Sequence, residues 1–228
     1  MMIAALAWVE FVFGSLMFSY WLGRLARKDV RAVGDGNPGA FNLWAAAGWK
    51  LGAAGVVLDF LKGYFPLVWL IRVENISGYG LVLLAAAPIL GHLFSPFLKF
   101  RGGKGIAVTF GVWSALTAFE VALVYAILLA ALLVASILLK GSRRISDEAN
   151  GFQVVLGMLL LSAYLLIESF PAPILVFWLV NLILLAFANR HKLAAFSRNV
   201  LFARDRKPGW PGSVEESGAV PADSESKP

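Results

Sequence analysis

Three segments of this 228-residue chain pair glycine or asparagine with fixed positive charge, a combination suited to binding phosphate. The first is Gly34-Asp35-Gly36-Asn37-Pro38-Gly39-Ala40-Phe41-Asn42, preceded by Arg24, Arg27, Lys28 and Arg31. Glycine at 34, 36 and 39 permits positive φ and close backbone approach, so successive N–H groups can converge on an anion. The same residues equally suit a basic membrane anchor followed by a polar turn.

The second segment runs from Gly91-His92 to Arg101-Gly102-Gly103-Lys104-Gly105, directly before an apolar stretch. Free N–H groups at Gly102 and Gly103, the positive end of a helix dipole and the Lys104 charge would then meet at one point. The spacing is not that of a nucleotide-binding P-loop, and no Ser or Thr follows Lys104 directly, which argues against a nucleotide triphosphatase. His92 fits either an interfacial histidine with its partners satisfied or a residue supporting the site. The third segment, Asn189-Arg190-His191-Lys192, reads alone as a basic flank closing the last apolar stretch.

Asp59 and Lys62 stand three apart inside an apolar run, hence on one helical face. Each would cost roughly 2.5 to 3.5 kcal/mol unpaired near mid-membrane, so the reading pairs them, as structural glue or as part of the site. Nearby Gly63 and Pro66 predict a kink or close packing.

The elements that must position these segments are membrane helices. Hydrophobic residues make up 59% of the chain, charged ones 15%, and the mean hydropathy is +0.75, which together exclude an ordinary soluble domain. With no cysteine, thiolate metal sites, thiol nucleophiles and disulfides are excluded. A span needs roughly 17 to 25 residues to cross about 30 Å of hydrocarbon. The candidates are 2–22, 52–71, 79–98, 106–118, 121–139, 152–168 and 172–188. One helix over 106–139 would run about 51 Å, with Glu120 near its middle, and the distribution of basic residues decides for two helices.

That division places every basic cluster on one side: Arg24 to Arg31 and Lys50, Lys99 to Lys104, Lys140 to Arg144, and the chain from Arg190 onward. The expectation is an all-α bundle of about seven spans, the fourth short, with the N-terminus outside and the C-terminus cytoplasmic. Residues 1–206 form one domain. Residues 207–228, rich in Pro, Gly, Ser and Glu, form a disordered tail. Positive charge follows the first apolar stretch instead of preceding it, which predicts a retained span and not a cleaved signal.

In combination and order, several marks resemble the PlsY family of bacterial acyl-phosphate:glycerol-3-phosphate acyltransferases. They are Gly23-Arg24, Asp29-Val30-Arg31, Gly34-x-Gly36-Asn37-x-Gly39-Ala40-x-Asn42, Asp59-x-x-Lys62-Gly63 and the Gly91 to Gly105 block. The resemblance runs from about Ser15 to Thr109 and weakens toward Lys192. It implies a seven-span protein of a bacterial plasma membrane with its site open to the cytoplasm. The implied reaction moves a fatty acyl group from acyl phosphate to glycerol 3-phosphate, giving lysophosphatidic acid.

Under that resemblance Lys104, Asn37, Asn42 and His191 are the catalytic candidates. Gly34, Asp35, Gly36, Gly39, Gly102, Gly103, Arg24 and Arg31 bind phosphate, with His92, Asp59 and Lys62 in support. No metal, cofactor or nucleic acid is expected. The partners are the two substrates and membrane lipids, and the oligomeric state is left open. Four positions depart from the family: Asp35 stands at a usual serine, Phe41 at a threonine, Ala45 at an arginine and Ala194 at an asparagine. A carboxylate where an anion should bind predicts that Asp35 is paired, with Arg31 or Lys50 as partner. An anion transporter and a non-catalytic lipid-binding scaffold are the competing classes.

Overall fold

The computed structural model describes residues 1–140 and 147–205, and within them every regular element is helical. In chain order these are α1 (Met2–Ser15), α2 (Phe18–Leu25), α3 (Ala40–Ala47), α4 (Trp49–Val73) and α5 (Gly80–Leu93). There follow α6 (Ile106–Thr117), α7 (Glu120–Lys140), α8 (Asp147–Ile167), α9 (Ala172–Ala188) and α10 (Arg190–Asp205). Short 3-10 turns stand at Val30–Ala32 and Pro96–Leu98. Residues 141–146 and 206–228, with them the expected disordered tail, lie outside the described residues.

Five stretches are long and apolar enough to cross a membrane: Met2–Leu25, Trp49–Val73, Gly80–Leu98, Glu120–Leu139 and Glu148–Ile167. A sixth is reached if α9 and the start of α10, bent by 70° against each other, count as one. The expected seven spans thus map onto apolar helices, but not all are full-length. Helix α6 has 12 residues, about 18 Å, against the roughly 30 Å of hydrocarbon. Its ends are set by backbone geometry, with Gly105 left-handed before it and Ala118 and Phe119 both at positive φ after it. Division of 106–139 into two helices therefore occurs where Glu120 begins α7.

The hydrophobic effect does not drive helices together in lipid, so contact depends on close packing and polar joints. Small residues supply the packing. A Cβ at Gly14 would lie 2.1 Å from the Pro88 carbonyl oxygen, and one at Gly91 would lie 2.1 Å from that of Phe11, so α1 and α5 touch backbone to backbone. Helices α4 and α6 meet in the same way, Gly63 against Val108 and Gly111 against Phe60. Gly63 thus marks close packing. Leu67, Leu84, Ile89, Val112, Trp113, Met158 and Phe177 fill the centre, while Leu123, Ile127, Val134 and Leu138 of α7 face outward.

The polar joints repair what the helices leave open. Between α1 and α2 the helix breaks at Leu16, which has extended backbone. Irregular backbone at membrane depth is tolerated only where protein satisfies it. Ser95 Oγ donates to the freed Ser15 carbonyl at 2.7 Å, and Lys62 Nζ donates to that of Leu16. Farther along, Trp113 Nε1 donates to Asn181 Oδ1 at 2.9 Å, and Asn181 Nδ2 donates to Thr109 Oγ1 at 3.2 Å, tying α6 to α9.

Substitution Gly91→Ala should overpack the α1 and α5 contact by about 1–3 kcal/mol. Thermal unfolding of the purified protein in detergent should then shift down by about 2–4 °C for each kcal/mol. An unchanged melting curve would show that the two helices separate without cost.

Candidate functional site

The three basic segments meet at Asp35. Its Oδ2 accepts from Lys104 Nζ and lies 3.0 Å from Lys192 Nζ, so one carboxylate oxygen joins all three. Its other oxygen accepts from the Asn37 backbone N–H at 3.2 Å and from Asn42 Nδ2 at 3.1 Å. Burial alone would push the Asp35 carboxyl up. Hydrogen bonds and charges from both lysines outweigh that and hold it well below the usual carboxylate range. The pair expected with Arg31 or Lys50 is not formed. Arg31 instead donates to the Arg101 carbonyl at 2.9 Å and lies over the Tyr20 ring, fixing the first segment to the second.

Burial lowers the Lys104 amine, Asp35 draws it back up, and neighbouring Lys192 lowers it again. Lys104 thus sits between an anion that holds its proton and a like charge that weakens it.

Beside this cluster opens a cavity of about 520 Å³. Its polar wall holds Asp35, Asn37, Asn42, Lys104, Asn189 and Lys192. Its apolar wall is formed by Val56, Ile106, Ala107, Phe110 and Val154, with Phe41 at the lip, 78% exposed. The two lysines and the apolar wall face one cavity, so it offers one end suited to an anion and one suited to hydrocarbon.

Behind the cavity lies a fully buried polar cluster. Lys62 Nζ is 2.8 Å from Asp59 Oδ1, as the spacing of three predicts, and 2.9 Å from His92 Nδ1. Ser19 Oγ donates to Asp59 Oδ2 at 2.7 Å. Asp59 and His92 reach the cavity wall, and Lys62 does not.

Other residues singled out by sequence are placed differently. The Gly102 N–H donates to the Leu93 carbonyl and the Gly103 N–H to that of His92, both at 3.0 Å, so neither is free for an anion. Glycine is required there by contact: a Cβ at 102 would lie 1.9 Å from the His92 carbonyl oxygen, and one at 103 would lie 2.1 Å from the His92 imidazole. Gly34 and Gly36 do take positive φ, but they shape the loop around Asn42 without lining the cavity, whereas Gly39 lines it. Arg24 is exposed and off the cavity.

Asn42 is buried, its amide donating to the Val33 and Asn37 carbonyls at 2.9 Å as well as to Asp35. That makes it the staple of the first segment. His191 points away, exposed, while its neighbours Asn189 and Lys192 line the cavity. The third segment was readable from its charge, but not which residue faces inward. The 70° turn after Asn189 rotates the next helix, so the register of α9 does not carry into α10. Asn150 and Gly151 of α8 also line the cavity and carried no signal in sequence. Ala45 is exposed and off the wall.

Comparison with known proteins agrees with this architecture. The family model described as glycerol-3-phosphate acyltransferase matches residues 4–198. The chain is 36% identical to glycerol-3-phosphate acyltransferase 1 of Thermotoga maritima over 198 residues, 84% of this chain and 96% of that one. Crystal structures of PlsY, an integral membrane glycerol 3-phosphate acyltransferase, superpose with a TM-score of 0.74 in both the glycerol 3-phosphate and the lysophosphatidic acid forms. Identities are 26% and 25%, covering 92% and 90% of this chain and 96% and 94% of those chains. A bundle of apolar helices with that shape, matched along nearly its whole described length, belongs to the glycerol-3-phosphate acyltransferase family of multi-pass integral membrane proteins.

Proposed function

We propose that this chain transfers a fatty acyl group from acyl phosphate to the 1-hydroxyl of glycerol 3-phosphate, releasing lysophosphatidic acid and inorganic phosphate. The observation that carries the reading is the two-lysine anion site at the mouth of an apolar cavity, in a member of this family. Relatives crystallised with glycerol 3-phosphate and with lysophosphatidic acid support the acceptor and the product.

The hydroxyl oxygen of glycerol 3-phosphate attacks the acyl carbonyl carbon, the carbon–oxygen bond to phosphate breaks, and the hydroxyl proton leaves on the phosphate. An acyl phosphate already has a good leaving group, so the protein's task is to position and to stabilise charge. Lys104 and Lys192 hold phosphate oxygens. Asn37 and Asn189 orient polar atoms of the acceptor. Val56, Ile106, Ala107, Phe110 and Val154 take the acyl chain. His92, held by Lys62 and pressed by Gly103, fixes the wall from which Lys104 extends. Asn42 keeps the first segment folded.

The same reading sets the chain in a bacterial plasma membrane with the site on the cytoplasmic side. Seven crossings result if α1 and α2 count as one span and short α6 as another, with the N-terminus outside and the C-terminus inside. Support comes from Asp35, which draws three basic segments to one end of the bundle, where the positive-inside rule puts them.

Purified protein given labelled palmitoyl phosphate and glycerol 3-phosphate should form lysophosphatidic acid. Comparable rates with acyl-CoA would refute the donor, and absence of product with either would favour a scaffold or transporter. Lys104→Met and Lys192→Met should each lower kcat/KM by about 10- to 100-fold, the value of a charged hydrogen bond to phosphate. Unchanged turnover removes that lysine from the site. A single cysteine at position 145 should resist an impermeant reagent added outside intact cells, and labelling there would overturn the seven-span orientation.

A further inference from the structure

Asp35 occupies the position that the two lysines offer to phosphate. One of its oxygens faces both ammonium groups, the arrangement that a phosphate oxygen would take, while the other is held by Asn37 N–H and Asn42 Nδ2. The side chains of Asp35, Lys104 and Lys192 are each about one-fifth exposed, so the cluster is open to solvent at the cavity mouth. Gly34 and Gly36, at φ +56 and +71, flank Asp35 and set the turn that presents its carboxylate to the lysines.

From this geometry we propose that Asp35 is an internal, displaceable counter-anion. It neutralises the lysine pair when the cavity is empty, and it yields the pair to the phosphate of a substrate. The inference rests on the lysines being the phosphate site. Its consequence is a threshold. Any anion entering must displace a carboxylate that is already tethered, so singly charged headgroups at the membrane surface compete poorly. A phosphate monoester brings two charges and three oxygens, enough to engage both lysines and leave an oxygen for Asn37. When the acyl group has been transferred, Asp35 returns and helps inorganic phosphate leave. Asp35 is therefore a specificity-determining residue.

The alternatives make different predictions. A purely structural brace would use the Oδ1 contacts alone, and those survive in asparagine, which has the same shape and an acceptor oxygen. A catalytic carboxylate would lose turnover on neutralisation without a change in phosphate affinity. A displaceable counter-anion makes phosphate bind more tightly once its charge is gone.

The test is inhibition of acyl transfer by inorganic phosphate, with calorimetric titration of phosphate into the detergent-solubilised full-length chain. Asp35→Asn should lower the inhibition constant about tenfold and tighten direct binding to match, and Asp35→Ser should do the same without any carbonyl to brace the loop. If phosphate affinity is unchanged or weaker in both, the inference is overturned. A fall in turnover at constant phosphate affinity also overturns it and assigns Asp35 to the chemistry. Lys104→Met separates the inference from its foundation. If that variant binds phosphate as the native protein does, the phosphate site itself lies elsewhere. If it binds weakly while Asp35→Asn fails to tighten binding, the lysine site stands and the counter-anion falls.

Discussion

A lysine and an aspartate one turn apart on a lipid-embedded helix cannot remain charged alone, and the bundle is arranged around their neutralisation. Lys62 donates to the carbonyl freed where α1 breaks, contacts Asp59 on its own helix and reaches His92 on α5. Ser19 closes the set from α2. Four helices are thereby fixed to one another by a charge that hydrocarbon would otherwise exclude. Removing one partner from such a buried pair costs about 3–5 kcal/mol, because the other is left uncompensated. This cluster sets the back wall of the cavity, and the loop carrying Lys104 is laid over it through His92 and Gly103.

From that wall outward, polarity falls into two halves. One side of the cavity is made by loops and helix ends carrying amide and ammonium groups, the other by the apolar flanks of α4, α6 and α8. Short α6 is what allows this. It begins at Ile106, directly after the Lys104 loop, and packs backbone to backbone on α4 at Gly63 and Gly111.

Much of this was legible in the chain because lipid simplifies the rules. Apolar length located the long helices, but not short α3 or polar α10. The placement of basic residues divided 106–139 into two helices, as α6 and α7 are, and the spacing of Asp59 and Lys62 predicted their pair. What sequence could not supply were contacts made across space with no periodic signature. Asp35 lies 69 residues from Lys104 and 157 from Lys192, and nothing local distinguishes those partners from nearer Arg31 or Lys50. The choice between His191 and Lys192 turned on a bend between two helices. The glycines at 102 and 103 were read as donors because glycine beside lysine suits anions. Their N–H groups were needed instead by the carbonyls at the end of α5, whose last turn has no intrahelical partners.

Those two hydrogen bonds have a thermodynamic consequence. A loop that gathers around its ligand only on binding loses conformational entropy at that moment, and affinity suffers accordingly. Here the backbone under Lys104 is already pinned to Leu93 and His92, and no side chain at 102 or 103 could let it relax. Its disorder is lost once, when the chain folds, and not again in each turnover. The frame of the site is thus set before any ligand arrives, and Lys104 reaches from it on a four-carbon stem to Asp35.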